Sequence, residues 1–363
     1  MNVFPLKSIT LDKAKKKQFQ LVDETTKVFN GEDILNLGDL GVKQPNNTPK
    51  MTLEIEKIFA NFFGAEMAML VRGSGTGAIR NALVGMVKSG DKILIHDAPI
   101  YPTTKTTLES FGAILVKADF NKLNQVKEVI AKNPNIKVCL LQITRQKLED
   151  NYDYKKVIKV INKNIPVITD DNYAVMKVDK IGVEVGACIS TFSTFKTLGP
   201  EGIGMIVGEK KIITKIRKAN YSGGSQVQGY EAQAVLRGLI YAPVSFAIQS
   251  EENEKIFKKL NNNFNQHIKS AQLVNAQSKV LIVKFKKPIA KEVLKQAVKL
   301  GAAPHPVGAE SKYEFVPMFY KVSGTFLKYD ASAIDYMIRI NPMRSGEKTI
   351  LRILEKSIEN VFK

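Results

Sequence analysis

The amino-acid sequence predicts an α/β protein: a large domain with a mostly parallel, mixed sheet sandwiched by helices, then a small α+β domain. Three observations predict it. Between residues 67 and 207, short apolar runs alternate with segments of helical period, the pattern of strands joined by helical crossovers. From residue 278 that alternation gives way to short strands mixed with two helices. Finally, 363 residues are enough for one large core and a second, smaller one. The expected division is an N-terminal helix and arm over 1–45, the large domain over 46–250 and the small domain over 251–363.

Residues 9–29 carry Phe19, Val22, Val28 and Phe29 at helical spacing, which predicts an amphipathic helix. A loop follows over 35–41. Leu53, Ile55, Ile58, Phe59 and Phe62 predict a helix over 52–63 that stops at Gly64. Strands are expected at 67–71, 92–96, 113–116, 136–143 and 166–169, with helices between them at 75–87, 101–111, 123–131 and 154–162. Two further strands, 187–192 and 204–207, precede a helix at 209–218 and a Gly/Ser/Gln loop at 221–229. A long helical stretch over 231–264 is expected to break near Pro243. The C-terminal part reads as strands at 280–285, 315–320, 324–327 and 336–340, with helices at 291–299 and 347–361.

The net charge is +19, but the lysines are dispersed and aromatic residues do not interleave with the basic runs. That pattern favours a compositional habit over a nucleic-acid surface. No window approaches the ~18 apolar residues of a membrane span. Residues 1–11 hold Pro5 and Lys7 rather than the apolar core of a secretory signal. Cys139 and Cys188 lie in apolar runs without metal-ligand spacing, as in a reducing compartment, so a cytoplasmic location is expected.

Open parallel sheets place their chemistry beyond the carboxyl ends of the strands. That rule makes neighbours of residues 73–77, 97–101, 144–146, 170–173 and 193–196. In Ser190-Thr191-Phe192-Ser193-Thr194-Phe195-Lys196-Thr197-Leu198-Gly199, one lysine sits between apolar segments. Partial burial lowers a lysine's pKa and frees the neutral amine as a nucleophile. Such an amine suits a Schiff base with an aldehyde, and Lys196 is read as the lysine that holds pyridoxal 5'-phosphate (PLP).

Arg72-Gly73-Ser74-Gly75-Thr76-Gly77-Ala78 lies between a strand and a helix. Glycines admit an anion close to the backbone, the helix start offers N–H groups, and Ser74 and Thr76 add hydroxyls. The same glycines also match a dinucleotide fingerprint with Asp97 as its ribose acid. Asp170 ends an apolar strand, where it is placed to pair with the pyridine nitrogen; Asp171 is the alternative, because one residue of slip decides which carboxylate points inward. Ser193 and Thr194 precede the lysine, and Tyr101 is placed to stack on the ring. His96 reads as a satisfied strand-end histidine. His267 and His305 have no identifiable partner.

Taken in order, Gly-Ser-Gly-Thr-Gly-Ala, Asp-Asp-Asn-Tyr, Ser-Thr-Phe-Lys-x-Leu-Gly and Ile-Arg-Ile-Asn resemble the fold-type I PLP enzymes, the aspartate aminotransferase superfamily. The stretches TFSTFKTLGPEGIG and NYSGGSQVQGYEA are most similar to the YhfS-like group, near the cysteine/methionine-metabolism and selenocysteine-synthase-like branches. The resemblance spans about residues 37–361. It implies that Lys196 carries the cofactor and moves the substrate α-proton, while Asp170 holds the pyridinium. It further implies that Ser74, Gly75, Thr76 and Ser193 bind phosphate, that Tyr101 stacks on the ring and that Arg339 clamps the substrate α-carboxylate. A homodimer is implied as well, with the loop 222–228 near its boundary. One departure stands out. Where many aminotransferases have an Asn-Pro loop, this chain has Thr144-Arg145-Gln146-Lys147, so Arg145 or Gln146 is expected at the ring oxygen, or Arg145 at a second acidic group.

The function expected is a PLP enzyme acting on an amino-acid-like substrate, an aminotransferase first, with β/γ-elimination as the alternative. An NAD-dependent dehydrogenase built on the glycine loop and Asp97, and a non-catalytic RNA-associated relative, are the readings from other classes.

Overall fold

The computed structural model describes residues 3–40, 47–262, 264–275, 279–308, 310–322, 326–327 and 330–363. The chain forms two compact units. The larger comprises Asp12–Thr144 and Asn151–Pro243, and the smaller Met1–Leu11, Arg145–Asp150 and Val244–Lys363.

The elements of the larger unit follow the predicted alternation. Helices α1 (Leu11–Thr26), α2 (Gly31–Leu35) and α3 (Lys50–Phe62) lead into β1 (Met67–Arg72), α4 (Ser74–Met86), β2 (Lys92–His96), α5 (Pro102–Ser110) and β3 (Ile114–Ala118). Next come α6 (Leu123–Lys132), β4 (Ile136–Gln142), α7 (Tyr154–Ile161), β5 (Val167–Asp170), β6 (Ile189–Ser193), β7 (Ile203–Gly208) and α8 (Lys210–Ala219), and then the long α9 (Gly229–Asn261), whose residues from Val244 onward belong to the smaller unit. The seven strands run in the order β1-β7-β6-β5-β4-β2-β3. Only β7 is reversed, antiparallel to both β1 and β6. Helices on the faces explain why the central strands β5, β6 and β7 are buried along their whole length. Ile93, Val138, Ile168, Ile189 and Ile206 pack with Ala82, Leu83 and Ile213 of the helices. Because β1, β2, β4, β5 and β6 point one way, the chain following each of them emerges at the same edge.

The smaller unit holds β8 (Ile268–Val274), β9 (Val280–Phe285), α10 (Ala290–Lys299), β10 (Met318–Lys321), α11 (Ala333–Tyr336), β11 (Met337–Asn341) and α12 (Glu347–Phe362). Its sheet, β10-β11-β9-β8, is antiparallel. One face packs Val283, Phe285, Ile338 and Ile340 against Val293, Ile353 and Leu354 of the helices. Ile282 and Val280 face the other way, toward Leu148 and Val322.

Four local expectations need correction. Helix α1 buries Ala14, Leu21 and Thr25, while Phe19 stays 64 % exposed, so the bulkiest apolar residues do not mark its packed face. Helix α9 continues through Pro243; a proline in a long helix can cost one hydrogen bond and a bend without ending it. Strand β8 went unpredicted because a bulge between Ile268 and Ser270 disrupts its alternation. Of the strand expected at 324–327, Phe326 and Leu327 are helical, and Gly324 lies outside the described residues, as does Gly41 of the loop at 35–41.

Candidate active site

At the end of β1 the backbone turns through Gly73 (φ 92°) and Ser74 (φ 58°), both left-handed, into α4. Their N–H groups donate to Gly202 O at 2.8 and 3.0 Å. Close approach excludes side chains around this turn. A Cβ on Gly77 would lie 2.0 Å from Arg72 O, one on Gly204 2.1 Å from Ser74 O, and one on Gly75 2.7 Å from the Asn172 amide. Ser74 Oγ lies 2.6 Å from Ser193 Oγ, which ties the helix start to the end of β6. Thr76 Oγ1 lies 2.9 Å from Thr103 Oγ1 in α5. First-turn amides of a helix lack intrahelical acceptors and carry the positive end of its dipole. Hydroxyls grouped there form a cradle for an anion. Tyr101 is the residue preceding α5, about half exposed and two positions from Thr103.

The consecutive carboxylates at the end of β5 part company. Asp171 Oδ1 accepts from Gly182 N–H (2.8 Å) and its Oδ2 from the Thr169 hydroxyl (2.5 Å), so it is tied into a fully buried corner. Burial pushes its pKa up to about 7. Asp170 Oδ1 accepts from both the backbone N–H (3.0 Å) and the side-chain amide (2.7 Å) of Asn172. Asn172 Oδ1 in turn accepts from Ser193 N–H at 2.9 Å. One asparagine therefore links the buried acid to the strand that leads to Lys196. Burial also raises the Asp170 pKa, against the pull of Asn172 and of the Lys196 ammonium. A carboxyl in that position ionises readily only when a cation meets it.

Lys196 sits in the 3-10 turn Thr194–Thr197, half-buried, with Nζ 4.1 Å from the centre of the Tyr173 ring. Tyr173 holds a left-handed backbone (φ 63°), a strained state for a non-glycine residue. The larger unit thus gathers Ser74, Gly75, Thr76, Asp170, Ser193 and Lys196. Arg339 and Arg145 belong to the smaller unit. Arg339 Nε donates to Lys321 O (3.1 Å) and its guanidinium rests 4.3 Å from the Tyr320 ring, while Arg145 Nη1 donates to Asp150 O (2.8 Å). His96 is held by Phe120 N–H on Nδ1 (3.0 Å) and packs on Phe120 and Tyr152. Asp97 is exposed and pairs with Lys117 at 3.8 Å. Asn172 and Tyr173 fall within the expected site stretch 170–173 but have no role assigned from the sequence, and Thr103 lies outside every such stretch. The Asp-Asn-Tyr run after a buried strand was the available signal for the first two; Thr103 carried none.

Together these features fit PLP: a hydroxyl-lined cradle closed to Cβ atoms, a half-buried amine, and a buried acid that needs a cationic partner. The comparison with known families agrees. Residues 46–279 match the model of the Cys/Met metabolism PLP-dependent enzymes. The chain belongs to that family. Residues 254–354 match the YhfS-like C-terminal domain. The chain is 48 % identical to YhfS of Escherichia coli (strain K12) over 99 % of its own length and 100 % of that protein's. A crystal structure of the pyridoxal-5'-phosphate dependent protein YhfS from E. coli superposes with a TM-score of 0.98, again covering 99 % and 100 %. Cystathionine gamma lyase from Micromonospora echinospora (TM-score 0.66, 14 % identity, covering 85 % and 86 %) shares the fold. So does cystathionine gamma synthase from Xanthomonas oryzae pv. oryzae (0.67, 13 %, 90 % and 92 %). The protein is a PLP-dependent enzyme of fold type I, which sets aside the dehydrogenase reading. Among the described residues no helix is long and apolar enough to cross a membrane.

Proposed function

We propose that this enzyme is a lyase that expels a leaving group from the β or γ carbon of an amino-acid substrate, rather than an aminotransferase. The match of residues 46–279 to the Cys/Met metabolism family carries this reading. Two further points support it: a gamma-lyase and a gamma-synthase share the fold, and Thr144-Arg145-Gln146-Lys147 stands where aminotransferases have an Asn-Pro loop.

When bound, PLP supplies the reactive aldehyde and an electron sink. Lys196 contributes the amine that holds it and then moves the proton at the substrate α-carbon. Asp170 keeps the pyridine nitrogen protonated, oriented by Asn172. Ser74, Gly75, Thr76 and Ser193 hold the phosphate, and Tyr101 covers the ring. Arg339 recognises the substrate α-carboxylate, and Arg145 is assigned to a second polar group of the substrate.

A homodimer in the cytoplasm completes the proposal. Leu35, Leu37 and Leu40 are 84, 84 and 77 % exposed on an arm docked by Gly229 N–H to Asp39 O (3.0 Å). Three leucines held outward call for a partner surface. Both cysteines are free and buried, in keeping with a reducing compartment.

The deciding experiment incubates the holoenzyme with amino acids bearing thiol or thioether groups on the β or γ carbon, and with alanine and glutamate. Ammonia and keto acid released catalytically from the first set are expected. Stoichiometric conversion of the cofactor to pyridoxamine phosphate, with no ammonia, would instead establish transamination.

A further inference from the structure

Two hydroxyl pairs meet at the first turn of α4: Ser74 with Ser193 (2.6 Å) and Thr76 with Thr103 of α5 (2.9 Å). A hydroxyl carries one proton and two acceptor lone pairs, so a bonded pair uses one proton and keeps one for an outside acceptor. Ser74, Ser193 and Thr76 are assigned to the cofactor phosphate; Thr103 has no role yet. Other helical threonines of the larger unit give their proton to the carbonyl four residues back. Thr25 donates to Leu21 O (2.7 Å), Thr106 to Pro102 O (3.2 Å) and Thr107 to Thr103 O (2.9 Å). Four residues before Thr76 is Arg72, the last residue of β1, so no helical carbonyl stands there for it. Thr76 turns to Thr103 instead.

Thr103 is held in place by its helix rather than by its hydroxyl. Thr104, Thr107 and Leu108 form the buried face of α5, with Leu108 in the core of the larger unit. Lys105 N–H closes the first turn onto Tyr101 O at 2.9 Å. The Thr103 side chain stays exposed, so a replacement of the same shape leaves that packing intact.

We infer that Thr103 is a positioning residue for the cofactor phosphate: its hydroxyl donates to Thr76 Oγ1 and so directs the Thr76 proton at the anion. With an anion in reach, the charge-assisted bond takes the Thr76 proton, because it is the stronger of the two on offer. The Thr76 oxygen is then left as an acceptor, and Thr103 fills it. Hydrogen bonds in such a chain polarise one another, which strengthens the inner bond. The inference rests on PLP being the cofactor and on Thr76 holding its phosphate.

The test titrates full-length protein, stripped of cofactor, with PLP and with pyridoxal, the same aldehyde without the phosphate, and follows the visible absorbance of the bound ring. Thr103→Val keeps the shape and removes the hydroxyl. It is expected to weaken PLP binding about fivefold, the worth of one net hydrogen bond, and to leave pyridoxal binding unchanged. Thr103→Ala is expected to match it, and Thr103→Ser to restore the wild-type affinity. In a Thr76→Val background, Thr103→Val is expected to have no further effect, since the hydroxyl it acts through is gone. Wild-type PLP affinity in the valine and alanine variants would overturn the inference, as would equal losses for PLP and pyridoxal or a serine variant no better than valine. A wild type that forms no yellow, borohydride-bleached chromophore with either aldehyde would instead overturn the cofactor assignment, and this inference with it.

Discussion

Asp170 and Asp171 are adjacent in sequence and both buried, yet they are suited to different work. Alternation along an extended strand sends them to opposite sides. Asp171 meets Thr169 and Gly182, while Asp170 faces Asn172 and the lysine turn. Replacing Asp170 by Ala is expected to leave the cofactor bound but to slow α-proton exchange by about a hundredfold or more, because the ring loses the charge that keeps it an electron sink. Exchange followed by NMR in deuterated buffer checks this, and an unchanged rate would remove Asp170 from the proposed role. Asp171 makes a different prediction. Its folded pKa, about 7, lies above the ordinary carboxylate value. The folded state therefore binds more protons than the unfolded state between about pH 4 and 7, and this group's contribution to stability falls as the pH rises through that window. In Asp171→Asn that component is absent, so the difference in urea-unfolding free energy between variant and wild type should change across the window. A constant difference would contradict the assignment.

At the scale of elements, the larger unit is clamped by a buried ion pair. Glu56 of α3 accepts from Leu70 N–H of β1 (2.8 Å) and pairs with Arg217 of α8 at 2.6 Å. Burial pushes the Glu56 carboxyl upward, opposed first by the Arg217 charge and then by the Leu70 N–H. Arg217→Met leaves a buried carboxylate with too few partners and is expected to cost about 3–5 kcal/mol in urea unfolding. The double variant with Glu56→Gln should recover much of that loss, since no uncompensated charge remains. Equal losses in single and double variants would mean that packing, rather than charge, is what the arginine supplies.

For the molecule as a whole, the exposed leucines of the arm carry the prediction. Leu37→Asp places a charge in the surface assigned to the partner subunit. Sedimentation is expected to show a dimer for the wild type and a shift toward monomer for the variant. A monomeric wild type at micromolar concentration would remove the homodimer from the proposal. The net charge of +19 opposes self-association, so the dimer should weaken at low salt, where repulsion is screened least.

Much of this was written in local patterns. Apolar runs of strand length separated by helical periods fixed the layered sheet, because periodicity is a property of neighbouring residues. Gly73 to Ala78 and the lysine at the end of a buried strand announced themselves for the same reason. Other features depend on residues far apart in the chain. Ser74 meets Ser193 across 119 positions, Asn172 bridges Asp170 to Ser193, and Tyr173 receives two lysine side chains. Which of two consecutive aspartates turns toward the lysine, and whether a proline ends a helix or is carried within it, was settled by packing. Sequence by itself determined the fold class and the motifs of the candidate site; only the tertiary structure decided which partners their residues meet, because burial and hydrogen bonding are set by whatever the fold brings alongside.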